Sequence, residues 1–486
     1  MHDSRSLWVA GLIVVLGLLI GPVIYFYTEG EAQRDDPWGN LLMRLPHTDH
    51  SALIQGPFED GPSVTRACLK CHTEAAQEVM QTAHWRWEGD AVVVPGHSRA
   101  VRIGKKNLIN NFCIGVQSNW YGCTSCHAGY GWKDGTFDFS KEENVDCLVC
   151  HDQSGIYTKT KGGYPATGVD LVAVAKSVGW PTREDCGSCH FKGGGGDAVK
   201  HGDMDASLIY PRERVDVHMG KHKLVCIDCH RTERHVIMGR SISVSVDNKN
   251  RVWCTDCHAE QPHQGERLNG HTDAVACQTC HIPEVAIREA TKTHWDWSEA
   301  GQDRPEDLHR YQKIKGSFVY EKGLIPEYFW FDGTANRYLM GDRMDALAPT
   351  PLNQPRGHIA DANARIWPFK VHRGRQIYDR EHMYFLQPKT FGEGGYWTDF
   401  DWDKAARLGS EASGLPYSGA YGFAETEMYW PLTHMISPKG ETLQCRDCHG
   451  EGGRMNWTAL GYEGDPINWG GRGNVGGSSS WGGTVR

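Results

Sequence analysis

The chain has 486 residues, enough for two to four ordinary domains, and its 51 basic and 60 acidic side chains leave a formal charge of −9. That balance argues against nucleic acid as a partner. Only 39% of the residues are hydrophobic and 57 are glycine, so a chain of this length needs more than its own side chains to fill its interior.

In chain order, residues 1–6 form a short polar stub. Leu7–Tyr27 follows with 21 uncharged residues, long enough to span a bilayer as a helix. The run exceeds a signal-peptide core, and Thr28–Gln33 lacks a small-residue cleavage pattern, so an uncleaved transmembrane anchor is expected over 7–27. Arg5 and the free amine precede it and Glu29, Glu31, Asp35 and Asp36 follow it, which places the N-terminus inside and the body outside. Residues 28–60, broken by Pro37, Pro46, Gly56 and Pro57, read as a tether.

Between 61 and 460 the pentapeptide CxxCH occurs eight times: Cys68/Cys71/His72, Cys123/Cys126/His127, Cys147/Cys150/His151, Cys186/Cys189/His190, Cys226/Cys229/His230, Cys254/Cys257/His258, Cys277/Cys280/His281 and Cys445/Cys448/His449. Chance predicts roughly 0.03 copies from this composition. CxxCH is the attachment signature of c-type haem: two thiols add to the porphyrin and the adjacent histidine ligates iron. Eight disulfides would not need the trailing histidine, and zinc would need a second paired half-site. Eight covalent haems are therefore expected, with a mainly α, loop-rich fold wrapped around them. Haem attachment takes place on the exported side of the membrane. The body is thus expected in the periplasm, on a single-pass anchor in the inner (cytoplasmic) membrane. The shortest motif spacings, Cys123 to Cys147 and Cys254 to Cys277, predict nearly touching haems at those pairs. Residues 282–444 carry no motif but many Trp, Tyr and Pro, and at that length must fold, as a wrap around the haems. Residues 461–486 form a Gly/Ser-rich tail.

Each iron needs a sixth ligand or an open position. Outside the motifs, His84, His201, His218, His235, His263, His271 and His434 are the distal candidates, with His97, His222 and His294 in reserve. The seventeenth cysteine, Cys113, lies outside all motifs, ten residues before Cys123. It is either a buried apolar side chain or a thiol made nucleophilic by a nearby cation. In Gly193–Gly196 four glycines allow a close approach to a flat surface. Asp197 and Lys200, three apart, would pair on a helix; alternatively Lys200 ligates iron and Asp197 lines a pocket. A supporting calcium ion is left open.

These residues resemble the octaheme tetrathionate reductase family of c-type cytochromes. The likeness rests on Asn-Asn-Phe-Cys113-Ile-Gly, Cys123-Thr-Ser-Cys-His-Ala-Gly-Tyr-Gly-Trp132, Gly-Gly-Gly-Gly-Asp197-Ala-Val-Lys200-His201-Gly-Asp203, Ala-Cys277-Gln-Thr-Cys-His-Ile-Pro283, Trp295-Asp-Trp297-Ser, Pro-Leu-Thr-His434-Met and Gly-Arg-Met-Asn-Trp457, across about 60–460. It implies that the second haem has His127 below and Lys200 above, with Cys113 and Asp197 lining a substrate site and the other seven irons bis-histidine. It also implies an oxidoreductase that passes electrons from a quinol-oxidising membrane protein or a small periplasmic cytochrome to a small inorganic oxyanion. Tetrathionate would give two thiosulfates; nitrite and hydroxylamine are alternatives. The members in mind lack an anchor and a Gly/Ser tail. Two rivals remain. The first is a nitrogen-cycle reductase or hydroxylamine oxidoreductase relative; the CxxCK motif of pentahaem nitrite reductases and the long-spaced haem motif of octahaem sulfite reductases are both absent. A membrane-tethered electron conduit would need neither Lys200 nor Cys113.

Overall fold

The computed structural model describes residues 8–9, 11–12, 14–21, 37–112 and 114–472. It divides into two compact units, one of residues 1–44 with 253–272 and one of 45–252 with 273–486.

Residues 61–112 and 114–281 are built from short pieces. The longest helices there, Gly61–Cys68 and Arg183–His190, run eight residues. Several motifs form a single turn, as in Cys226–Cys229, Cys277–His281 and Cys445–Cys448. One turn suffices because residues three apart share a helix face, so both thiols point the same way. An aspartate before the second cysteine ties several of these turns. Asp228 accepts from the Val225 N–H at 2.7 Å, Asp256 from Trp253 at 2.8 Å and Asp447 from Gln444 at 2.7 Å. At Arg183–His190 Thr182 caps reciprocally with Asp185.

The haem-free stretch corrects the expectation of a mainly α fold, for it holds a nine-stranded mixed sheet. The central strand, Arg365–Asp379, pairs antiparallel with Tyr421–Pro431 from Phe369↔Pro431 to Asp379↔Tyr421 and parallel with Thr291–Asp296. Glu327–Phe331 pairs antiparallel with its first residues. The sequence hid this strand because it does not alternate. Residues 366–372 are all buried, including Lys370 and His372, so neither face reads as polar. The sheet's core is aromatic: Trp295 stacks on Trp297 at 4.7 Å, and Phe369 packs against Phe329 and Phe331 at 5.8 and 5.5 Å.

The anchor expected over 7–27 is unsupported. Its described residues, 8–9, 11–12 and 14–21, are helical, but among the described residues no helix is long and apolar enough to cross a membrane. Residues 7, 10, 13 and 22–27 lie outside the described set, as do 473–486 of the expected tail.

Candidate functional site

The central strand is the platform of the site. Lys370, His372, Gly374 and Gln376 alternate onto one face, and two distant segments dock there. The first is 110–112: the Asn111 amide donates to the His372 carbonyl at 2.6 Å, His372 Nδ1 donates to Asn111 Oδ1 at 2.9 Å, and Gln376 Nε2 donates to the Asn110 carbonyl at 3.4 Å. A side chain at Gly374 would press on Asn111. The second is 198–202, whose Val199 and Lys200 carbonyls accept from Lys370 Nζ at 3.1 and 3.2 Å. Trp430, paired with Lys370 in the ladder, lies between them. Its ring is 5.8 Å from Phe112, 4.7 Å from His201 and 5.3 Å from the Lys200 ammonium.

Lys200 Nζ also lies 5.8 Å from the Phe112 ring, the neighbour of Cys113. Cys113 itself lies outside the described residues. Asp197 is half-buried and accepts from the Ala206 N–H at 3.0 Å. Burial raises its carboxyl pKa. Burial likewise pulls the Lys370 ammonium down to about 7, against the pull of Asp203 and Glu321. Beside the second motif an open cleft of about 570 Å³ is lined by Tyr121, Ser125, Lys159, Thr160 and Lys161. Lys159 is already committed to buried Asp146 at 2.7 Å, so Lys161 supplies the positive rim.

The donor set fits covalent haem. The sixteen motif cysteines stand three apart in eight pairs, each pair followed directly by its histidine. Cys71, Cys229 and Cys445 are exposed, whereas the other motif cysteines are half-buried. At Cys71 the reason is local. The helix Gly61–Cys68 ends at the first thiol of the motif, and residues 71–74 follow in an exposed turn. The Cys71 N–H still donates to the Cys68 carbonyl at 3.2 Å, so the pair keeps its turn while Cys71 and His72 stand at the protein's surface.

His151, His230 and His449 engage Nδ1 with the Gly179 carbonyl (2.8 Å), the Met238 carbonyl (2.7 Å) and Asp465 (2.6 Å). Those bonds orient each ring and leave Nε2 for iron. His127 is fully buried among Trp85, Trp132, Phe137 and Phe139. Its Nε2 meets the Trp85 carbonyl at 2.7 Å while its buried Nδ1 has no partner. Burial lowers His127 and His190 to about 3, which keeps both neutral, the form that binds metal.

Two imidazoles sharing one metal at about 2 Å per bond hold their centroids about 6 Å apart. Three pairs show that spacing: His84–His190 at 6.2 Å, His230–His434 at 6.2 Å and His50–His72 at 6.0 Å. His50 was missed. Its only signal was position, 18 residues before Cys68 in a stretch read as tether. His235 anchors Nδ1 on Glu78 at 2.7 Å and lies near His151. His434 holds Asp203 at 3.3 Å; burial alone would lower its pKa, but Asp203 raises it on balance. His218 lies in the Val217–Lys221 turn and His201 against Trp430. His263 and His271 share the smaller unit with Cys254, Cys257 and His258. Of the reserve candidates, His97 pairs with Asp342 at 2.9 Å and His294 sits in the strand beside Arg373. Among the described residues no cluster of three or more His, Cys, Asp or Glu is arranged to hold a metal ion.

Motifs far apart in sequence meet. Cys68 lies beside Cys147, Cys126 beside Cys189, and Cys186 beside Cys226. Cys280 lies within electrostatic reach of Cys445 and Cys448. The fourth motif thus touches the second and fifth, an order that spacing did not reveal.

A solved structure, an octaheme cytochrome c from Shewanella oneidensis, superposes with a TM-score of 0.82 at 50% identity, over 87% of this chain and 98% of that one. The family described as "Cytochrome c bacterial" matches residues 292–452, the sheet and the last motif. No curated protein sequence matches. The fold and the eight motifs define a multihaem c-type cytochrome with eight covalent haems. The chain belongs to the octaheme tetrathionate reductase family and is a redox protein at that general level.

Proposed function

We propose that this protein is a reductase of tetrathionate or a related sulfur or nitrogen compound, with nitrite and hydroxylamine as the nitrogen candidates. Its reaction site is the haem that Cys123 and Cys126 would carry, and His127 and Lys200 are the residues that would hold its iron. The observation that carries the reading is the docking of 110–112 and 198–202 on one face of the central strand, which sets Lys200 Nζ 5.8 Å from the ring of Phe112. Haem at this position would supply electrons and an iron site that can exchange its sixth ligand. Cys113 thiolate attacks the central S–S bond of tetrathionate; one thiosulfate leaves and the cysteine keeps the other as an S–S adduct. Two electrons then cleave that adduct into thiosulfate and thiolate, restoring Cys113. Lys200 delivers the proton that nitrogen substrates need, and Asp197, whose pKa burial raises, holds it in reserve. The Lys161 rim draws anions to the cleft.

The other seven irons would be held by histidines alone. His50 joins His84, His201, His218, His235, His263, His271 and His434, so eight imidazoles compete for seven irons and one is surplus. The protein acts in the periplasm on an inner-membrane anchor, fed by a quinol-oxidising membrane protein or a small periplasmic cytochrome.

A second reading, an electron conduit without its own substrate, draws on the meeting of Cys68 with Cys147, Cys126 with Cys189 and Cys186 with Cys226. The test is re-oxidation of the reduced protein by tetrathionate, beside Cys113→Ala. Turnover lost in the variant supports the thiol mechanism. Turnover indifferent to it removes the thiol and keeps the haem. Inertness to tetrathionate, nitrite and hydroxylamine alike leaves the conduit.

A further inference from the structure

Four consecutive carbonyls around Lys200 are held by two side chains from the sheet. Lys370, 1% exposed, donates from Nζ to the Val199 and Lys200 carbonyls and, at 2.6 Å, to Thr291 Oγ1. Those are the three donors an ammonium possesses, so its contacts are complete without a carboxylate. Thr291, 0% exposed, passes the interaction on. Its hydroxyl is 2.6 Å from the Ala198 carbonyl and 3.0 Å from the His201 carbonyl. Ala198 sits at φ +57°, a left-handed conformation that a non-glycine residue holds only when its surroundings impose it. Gly202 closes the arrangement, since a Cβ there would meet Lys370 Cδ at 3.2 Å.

A buried lysine aimed at backbone oxygens is an expensive way to fill a core position, because its charge loses hydration with no carboxylate in contact, only the more distant Asp203 and Glu321. Methionine would fill the same volume. What methionine lacks is the ability to hold two successive carbonyls, which in an irregular segment have no ladder to satisfy them.

We infer that Lys370 and Thr291 form a clamp that fixes the backbone of 198–201 and so positions the Lys200 side chain toward the second haem, making Lys370 a positioning residue for the axial ligand. The inference rests on the reading of Lys200 as that ligand. Lys370 touches no substrate; it removes the freedom of the loop from which the ligand projects. A flexible lysine on a loose loop would lose its place to water or to a stray imidazole, whereas a clamped one returns after each release.

The test uses the full haem-loaded protein and reads the ferric low-spin signal of an amine-ligated haem by electron paramagnetic resonance and its near-infrared charge-transfer band. Lys370→Met keeps the volume and removes the donors; Thr291→Val keeps the shape and removes the hydroxyl; Thr291→Ser restores it. The expected result is a several-fold loss of the amine-ligated signal in Lys370→Met, a smaller loss in Thr291→Val and recovery in Thr291→Ser. The bis-histidine signals should stay unchanged throughout. An amine-ligated signal at wild-type strength in both Lys370→Met and Thr291→Val overturns the inference. So does a uniform loss of all eight haem signals in Lys370→Met with Thr291→Val indistinguishable from wild type, which would mark a purely structural lysine. Absence of the amine signal from the wild type would instead overturn the ligand reading, and the clamp's role with it, before any variant is made.

Discussion

Two stretches of this chain reach order by different means. Residues 61–252 hold five haem motifs on helices of eight residues or fewer, joined by loops. Residues 282–444 hold no motif and form a nine-stranded sheet around stacked aromatics. Isolated helices of that length are marginal in water, so the first stretch depends on covalent cofactor for its interior. The second buries its own apolar surface and lends a rigid face to the first. The lesson is that the segment without cofactor is the scaffold for the cofactor site, because a packed sheet can hold two loops in register while a loop-rich array cannot.

The sharpest way to break this contrast is to withhold haem. Protein produced without haem attachment is expected to lose amide protection throughout 61–252 and to keep slow exchange in Arg365–Asp379 and Tyr421–Pro431, read by hydrogen exchange. Equal collapse of both stretches would show that the sheet, too, needs haem. Next in size, Phe369→Ala opens a cavity among Phe329, Phe331 and Tyr429 and is expected to cost about 3–5 kcal/mol. Denaturant midpoints measure it, with the haem spectrum of the folded protein unaltered.

A third prediction concerns the seam between the stretches. Asp203 is buried; burial alone would raise its pKa, but His434 and the backbone N–H groups of Thr433 and His434 bring it to about 2. A depressed carboxylate stabilises the fold above its ordinary value near 4 and loses that contribution as pH falls toward 2. The expected share is about 2 kcal/mol, and Asp203→Asn should flatten the stability profile over that window. The smallest effect falls on one motif helix. Thr182→Ala removes the cap of Arg183–His190 at about 1 kcal/mol, seen as a shifted melting temperature with eight haems still attached.

Much of the haem chemistry was legible because it is local. Two thiols three residues apart and the next histidine form one covalent unit, and no tertiary contact is needed to recognise it. His84 and His434, now facing His190 and His230, were within reach of local reasoning, as histidines near motifs or inside a family signature. His50 was not, since the loop that folds it onto His72 leaves no periodic trace. The sheet was illegible for another reason: residues 366–372 of Arg365–Asp379 are buried on both faces and include Lys370 and His372, residues that composition assigns to the surface.

The sequence by itself determined the eight attachment sites and the family, since each depends on contiguous residues whose chemistry does not change with folding. Only the tertiary structure decided which motifs meet, that the haem-free wrap is a sheet, and that Lys370 and Thr291 hold the backbone on either side of Lys200. Those facts depend on residues separated by tens to hundreds of positions, brought together by burial of aromatic surface and by the need of every buried carbonyl for a donor.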